Sequence, residues 1–93
     1  MALYLISYDI AEKNYDYQSL WTRLAAMKAT RVLYSEWLFP DATGRAVAIA
    51  ADLTAHIDKG DSLVVQEVGR DAAWVKLQIS DDAMHILLRF CRF

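Results

Sequence analysis

Hydrophobic residues fill positions 2–10 almost without interruption, a pattern typical of a strand that is buried on both faces. The predicted strand, Ala2–Ile10, ends near Asp9, because charged residues begin there. Asn14 or Asp16 can cap a helix, and its apolar positions continue at helical spacing to about Lys28. The first third of the chain therefore predicts a strand followed by a helix.

The middle of the chain predicts strand, turn and helix in that order. The segment Arg31–Phe39 is rich in aromatic and β-branched residues, and it is long enough for one bent strand or for a tight hairpin that folds back at Ser35-Glu36. Residues Pro40–Gly44 form a turn cluster. An amphipathic helix is predicted over Arg45–Asp58, since apolar residues recur there at helical spacing.

The last third of the chain predicts two strands and a tail helix. Ser62–Val68 and Trp74–Ile79 have strand patterns, and a turn at residues 69–71 separates them. Ser80 can cap a helix over Asp81–Cys91. The apolar face of that helix would consist of Met84, Leu87, Leu88 and Cys91.

This order of elements, β-α-β(β)-α-β-β, predicts an α+β fold of the ferredoxin-like, split-βαβ type. Such a sandwich has one antiparallel sheet with two helices on one face, here followed by a short C-terminal helix or strand. The chain predicts a single domain over residues 1–93, with a core at 1–79 and a tail at 80–93. We expect the tail to contact a second copy or another partner.

Composition adds a second chain to this picture. The 93 residues are 56% hydrophobic and include three Trp, five Tyr and three Phe, which is more than one small core buries. A single cysteine excludes an internal disulfide. We therefore expect a homodimer, in which surplus aromatic residues on the open face of the sheet pair the two chains.

Charge and hydropathy narrow the function classes. Ten basic and twelve acidic residues give a net charge of −2, which argues against a broad basic face but leaves room for a local basic patch. No apolar stretch reaches the roughly 18 residues that span a bilayer. The first residues also lack the basic segment of a signal peptide. We expect a cytoplasmic protein without a membrane partner.

Asp9 is the strongest candidate for a functional residue, because it ends a buried strand at the point where solvent begins. A carboxylate there can bind Mg²⁺ or Mn²⁺, which favour oxygen ligands. One carboxylate makes a weak site, whereas two that meet across a two-fold axis make a credible one. The alternative is that Asp9 caps the turn that follows. Glu12 is either a second ligand or a solvated surface acid.

Four further residues are candidates for a site near Asp9. Arg31 can hold a phosphate, pair with Asp9, or remain a solvated cation at a strand end. Ser35 can line the same cleft or simply occupy a turn. Tyr8 and Trp37 can stack on nucleic-acid bases or belong to the core.

Two blocks of sequence carry a family resemblance. Residues 4–10 read Tyr-Leu-Ile-Ser-Tyr-Asp-Ile, and residues 31–37, one predicted helix later, read Arg-Val-Leu-Tyr-Ser-Glu-Trp. At this spacing and chain length, the pair of blocks resembles the small CRISPR-associated Cas-two family and its looser SinR-like relatives. The resemblance covers roughly residues 3–68.

The resemblance implies a ferredoxin-like homodimer with endonuclease activity. In that family the strand-end aspartate, here Asp9, faces its symmetry mate and is proposed to bind a divalent metal, Mg²⁺ or Mn²⁺, for hydrolysis of phosphodiester bonds in RNA or DNA. Tyr8, Arg31 and Ser35 match further catalytic positions of the family. The family's aromatic residue two positions beyond that serine matches Trp37, and we expect Arg31 and Trp37 to contact nucleic acid.

The family dimer is also the central scaffold of the CRISPR spacer-integration complex, which implies an integrase as a partner. This chain departs from the family at the start of the first predicted helix, where residues 14–19 carry one acid and no base. Each missing cation removes a phosphate contact, so we expect weak or local nucleic-acid affinity.

Two hypotheses follow: a metal-dependent endonuclease centred on Asp9, or a non-catalytic dimeric adaptor of the same fold. A toxin-type ribonuclease is a further alternative.

Overall fold

A computed structural model describes residues 2–10, 17–41, 44–73 and 81–90 of the chain. The elements are β1 (Ala2–Asp9), α1 (Gln18–Ala26), β2 (Thr30–Leu33), β3 (Glu36–Asp41), α2 (Ala46–Thr54), β4 (Ser62–Glu67) and α3 (Asp81–Phe90). The hairpin alternative for the second aromatic segment is confirmed, because β2 and β3 are joined by a turn at Tyr34-Ser35. Several residues named in the sequence analysis lie outside the described residues: Glu12, Asn14, Asp16, the predicted strand Trp74–Ile79 and Cys91.

The four strands form one sheet in the order β2-β3-β1-β4, and all neighbours are antiparallel. Helix α1 connects β1 to β2 with β3 between them, and α2 connects β3 to β4 with β1 between them. Each half is therefore a split βαβ unit. The prediction of an α+β fold compatible with the ferredoxin-like sandwich is confirmed.

One face of the sheet carries the main core. Side chains alternate along β1, so that Tyr4, Ile6 and Tyr8 all point towards the layer of α1 and α2. The cluster that they form is completed by Leu20 and Leu24 from α1, Trp37 from β3, and Ile49 and Leu53 from α2. The two helices therefore lie on one face of the sheet, as the sequence predicts.

The other face of the sheet differs from the expectation. Leu3 and Leu38 pack there against Leu87 of α3, so the tail helix covers part of the face that was expected to be open. Tyr4, Tyr8 and Trp37 belong to the helix-side core, so these three aromatic residues do not line this face. The predicted apolar stripe of α3 is also displaced: Leu87 is buried and Ile86 packs beside it, whereas Leu88 is 58% exposed.

The end of β3 corrects a second prediction. Pro40 and Asp41 are strand residues paired with Leu3 and Ala2 of β1, and not the start of a turn. Proline is tolerated because β2 pairs with β3 only as far as Leu38, so that the missing N–H of Pro40 faces no second strand. Pro40 is therefore a strand residue that pairs with β1 alone, although proline is common in turns.

Helix α1 ends without glycine at a residue that adopts the left-handed conformation. Lys28 has a φ of 70°. Its N–H donates to the Ala25 carbonyl oxygen at 3.0 Å, and the N–H of Ala29 donates to that of Leu24 at 3.0 Å. This pair of bonds is a Schellman motif, in which the left-handed residue is usually glycine. Lys28 therefore fills a glycine position and directs the chain into β2.

Candidate functional site

Asp9 is the last residue of β1, and its side chain is exposed. It pairs in register with Ser62 at the start of β4. A cavity of about 360 Å³, here called the strand-end cleft, opens beside it and is lined by Tyr8, Asp9, Ile10, Tyr17, Trp21, Tyr34 and Ser35. A smaller cavity of about 190 Å³ lies on the β4 side of the same strand end. Asp9 borders both cavities.

The hydroxyl of Tyr8 joins three elements behind the cleft. It accepts hydrogen bonds from Nε1 of Trp21 at 2.9 Å and from Nε1 of Trp37 at 3.2 Å. It also donates to the carbonyl oxygen of Tyr34 at 3.3 Å. A phenol offers one donor and two acceptor positions, and all three are used. Tyr8 therefore fixes α1 and the β2–β3 turn to the end of β1.

Arg31 lies among three aromatic rings. Its guanidinium carbon is 4.9 Å from the ring centre of Trp21, 5.1 Å from that of Tyr34 and 5.6 Å from that of Trp37. These distances are within the range of cation–π attraction. Its Nε and Nη2 atoms both donate to the Tyr34 carbonyl oxygen, at 3.1 and 2.6 Å. Within the described residues Arg31 thus holds the turn in place, and its partner is Tyr34 instead of Asp9.

Ser35 lies at the cleft, whereas Trp37 lies in the core. Ser35 lines the cleft, and its carbonyl oxygen accepts the N–H of Tyr8 at 3.1 Å. Trp37 is 9% exposed and belongs to the core, as does Tyr8 at 7%. Of the alternatives for these two aromatic residues, the core placement is the one found.

Sequence reasoning missed the aromatic residues that do reach solvent at the cleft. Tyr34 is 75% exposed at the tip of the β2–β3 hairpin, and Tyr17 and Trp21 also line the cleft. The rings of Tyr17 and Trp21 are 5.8 Å apart in an edge-to-face arrangement. The signal was present in the hairpin alternative, because a turn at Ser35 places the preceding residue at an exposed tip.

Among the described residues, Asp9 is a single carboxylate and has no cluster of further metal ligands around it. Among the residues for which coordinates are described, no group of three or more His, Cys, Asp and Glu side chains comes together. Asp9 offers one carboxylate, and a hard cation such as Mg²⁺ is commonly held by one or two carboxylates with water completing its shell. The donor chemistry therefore fits a divalent cation when a second copy contributes its own Asp9.

A second polar cluster joins the exposed sides of α1 and α2. Arg23 donates to Asp52 through Nε at 2.9 Å and Nη2 at 2.5 Å. This hydrogen-bonded pairing lowers the pKa of the Asp52 carboxyl and raises the pKa of Arg23. Ser19 of α1 and His56, which lies just beyond the end of α2, form a second contact: Ser19 Oγ and His56 Nδ1 are 2.7 Å apart. The cluster acts as a clasp between the two helices.

The chain matches no protein-family model, no curated protein and no solved structure. The resemblance to the Cas-two family therefore rests on the two sequence blocks. Within the described part of the chain, no helix is both long and apolar enough to cross a membrane.

Proposed function

We propose that this protein is a homodimeric, metal-dependent endonuclease of the Cas-two type that hydrolyses phosphodiester bonds in RNA or DNA. The observation that supports it best is the position of Asp9, an exposed carboxylate at the end of a central strand and at the rim of the strand-end cleft. Strand β1 is paired on both sides, so the carboxylate is carried by a rigid element. A rigidly held acid beside an open cleft suits metal-assisted hydrolysis.

In this proposal a second copy supplies the second carboxylate of the site. Two carboxylates brought together at a two-fold axis repel each other, and a divalent cation between them removes that repulsion. When bound, such an ion lowers the pKa of a coordinated water and neutralises charge on the scissile phosphate. The protein's task is to hold Asp9 in place and to admit the nucleic acid to the cleft.

The other predicted catalytic residues take two different tasks. Ser35 lines the cleft with Asp9, where its hydroxyl would donate a hydrogen bond to a phosphate oxygen. Tyr8 and Arg31 would act as positioning residues, because both bond to the Tyr34 carbonyl oxygen and so fix the turn that presents Ser35. This assignment replaces the direct phosphate contact expected for Arg31.

Cleavage of labelled RNA and DNA in Mg²⁺ or Mn²⁺ tests the proposal. We expect the wild type to cleave and Asp9→Asn to fall to the level measured in EDTA, because a neutral amide binds these cations weakly. Glu67→Gln is the matched control: it also removes one exposed carboxylate from the sheet, but at the other end of the β1–β4 ladder, opposite Tyr4. Equal cleavage by wild type and Asp9→Asn would assign the activity to another source.

The dimer is tested separately by light scattering. We expect the mass of two chains for the wild type, and a monomer at all concentrations would exclude a site shared between two copies of Asp9. Titration with Mn²⁺ followed by electron paramagnetic resonance gives a readout that does not depend on cleavage. One ion bound per two chains supports the shared site, and one ion per chain contradicts it.

A non-catalytic dimeric adaptor of the same fold is the second candidate. It is favoured by the internal use of Tyr8 and Arg31, whose hydrogen-bonding groups hold the fold together at the cleft. It is also favoured by two apolar side chains on the α3 side of the molecule, Val64 at 54% and Leu88 at 58% exposure. A Leu88→Glu chain that becomes monomeric, together with a Val47→Glu control that stays dimeric, would place the interface at α3. A wild type that dimerises but cleaves neither RNA nor DNA would support the adaptor over the nuclease.

A further inference from the structure

The walls of the strand-end cleft are largely aromatic. Tyr8, Tyr17, Trp21 and Tyr34 contribute four of the seven described residues that line it. Its volume, about 360 Å³, lies in the range of sites that bind small molecules. Tyr34 is 75% exposed, so its ring is open to contact from solvent. An exposed ring at the edge of an aromatic cavity is the arrangement on which planar ligands stack.

The charges around the cleft favour a neutral ring over a phosphate group. Among the described residues that line the cleft, Asp9 alone has a charged side chain. A carboxylate repels an anion such as phosphate. Arg31 stands behind the aromatic wall, where its guanidinium contacts the rings of Trp21 and Tyr34 and bonds to the Tyr34 carbonyl oxygen. Without a divalent cation at Asp9, the phosphate backbone of a ligand therefore gains little inside the cleft, and stacking supplies the affinity.

Arg31 also makes an organic cation a poor occupant. A ring that already has a guanidinium over it attracts a second cation less strongly, because the positive charge of Arg31 repels that cation. Stacking with a neutral aromatic ligand does not suffer this penalty. Among ligands of a suitable size, a nucleobase fits these conditions best.

We infer that the cleft binds one unstacked nucleobase, with the Tyr34 ring as the stacking platform, so that single-stranded nucleic acid is preferred over duplex. The inference rests on the proposed function for the class of ligand, but not on metal binding or cleavage. Every base has a π-face, so stacking of this kind is expected to discriminate little among sequences.

Fluorescence anisotropy in EDTA tests the inference in the absence of cleavage. The probes are a short labelled single strand, its blunt duplex, and an abasic strand with the same length and backbone charge. Loss of one base–aromatic stack costs about 1–3 kcal/mol, so Tyr34→Ala should weaken binding of the single strand by about 5-fold to 150-fold. Tyr34→Phe keeps the ring and should bind like the wild type. Val47→Ala is a control at similar exposure, 73%, on the outer side of α2.

The abasic strand separates stacking from charge. We expect it to bind weakly to the wild type and to show no further loss with Tyr34→Ala. The inference is overturned if Tyr34→Ala binds the ordinary strand as the wild type does, if the abasic strand binds equally well, if the duplex is preferred, or if the wild type binds none of the probes.

The two proposals fail independently in these assays. A protein that binds single strands through Tyr34 but does not cleave with Mg²⁺ or Mn²⁺ overturns the nuclease and leaves the base site standing. A protein that cleaves in an Asp9-dependent manner, but binds without regard to Tyr34, overturns the base site alone.

Discussion

The hydroxyl of Tyr4 donates a hydrogen bond to the carbonyl oxygen of Gly44 at 2.7 Å, across forty positions of the chain. This bond joins the first strand to the segment that leads into α2. Gly44 is also packed closely: a Cβ atom built there would lie 1.6 Å from Oδ2 of Asp41. The absence of a side chain at position 44 therefore leaves room for the Asp41 carboxylate.

Gly44→Ala should destabilise the fold. The new methyl group must displace the Asp41 carboxylate, and forcing that side chain out of its preferred rotamer costs on the order of 0.5–1.5 kcal/mol. Urea unfolding followed by tryptophan fluorescence measures the change. On an Asp41→Ala background the same substitution should cost clearly less, because most of the displaced atoms are gone. Equal costs on both backgrounds would contradict the steric explanation.

Tyr8→Phe should cost more stability than Tyr4→Phe. The first substitution removes the acceptor of both the Trp21 and the Trp37 indole N–H groups, whereas the second removes a single bond. Each buried donor left without a partner costs on the order of 1–3 kcal/mol. Unfolding free energies of the two variants in urea provide the comparison. A smaller loss for Tyr8→Phe would mean that water replaces the phenol at this position.

Lys28→Gly should stabilise the protein by about 1 kcal/mol, because glycine adopts the left-handed conformation without the steric cost that a Cβ atom imposes. The change is measured as a shift in the urea midpoint at constant slope. Lys28→Ala is the matched control: it removes the charge and the long side chain but keeps Cβ, so it should bring no comparable gain. A gain of the same size from alanine would assign the effect to the lysine side chain instead of the backbone.

Arg31→Lys should loosen the turn between β2 and β3, although it preserves the charge. An ammonium group cannot donate two hydrogen bonds from a planar fork to the Tyr34 carbonyl oxygen, nor lie flat among three rings. We expect a loss on the order of 1–2 kcal/mol and a change in tryptophan emission, since Trp21 and Trp37 both contact the guanidinium. If Arg31 served only as a solvated cation, lysine would leave both measurements unchanged.

The clasp between α1 and α2 should make stability depend on pH in the acid range. Pairing with Arg23 lowers the pKa of Asp52 in the folded state, so its contribution is fully present above the ordinary pKa of aspartate, about 3.9. It is lost as the pH falls through the lowered value, because the carboxyl then binds a proton. The difference in stability between wild type and Asp52→Asn should therefore shrink from pH 7 to pH 2. Arg23→Gln should remove the same pH dependence, and the double variant should add little to either single one.

Local pattern was sufficient to predict much of the fold. The almost continuous hydrophobic run of β1, the apolar spacing in α2 and the length of the second aromatic segment are properties of neighbouring residues, and each led to the correct element. The side on which α3 packs is not such a property. Leu87 and Leu88 are adjacent and equally apolar, and only contact with Leu3 and Leu38 decides that the first is buried and the second exposed.

The candidate site was predictable only in part, for a related reason. The sequence identified Asp9 and Ser35, which do line one cleft. It could not reveal that Arg31 bonds to the backbone of Tyr34, because a carbonyl oxygen is present at every residue and leaves no mark in the sequence. The same holds for Lys28, whose left-handed conformation follows from how α1 must meet β2 and not from any preference of lysine.

The central position of β1 has a consequence for motion at the cleft. This strand is hydrogen-bonded to a neighbour along both edges and packs against apolar clusters on both faces, so its amide protons should be among the slowest in the molecule to exchange with deuterium. The short connection at Tyr34-Ser35 is held to β1 and to Arg31 through the carbonyl oxygens of its two residues. Exchange at the amides of that turn should slow when a ligand closes over the cleft, whereas exchange in β1 should be slow with or without a ligand.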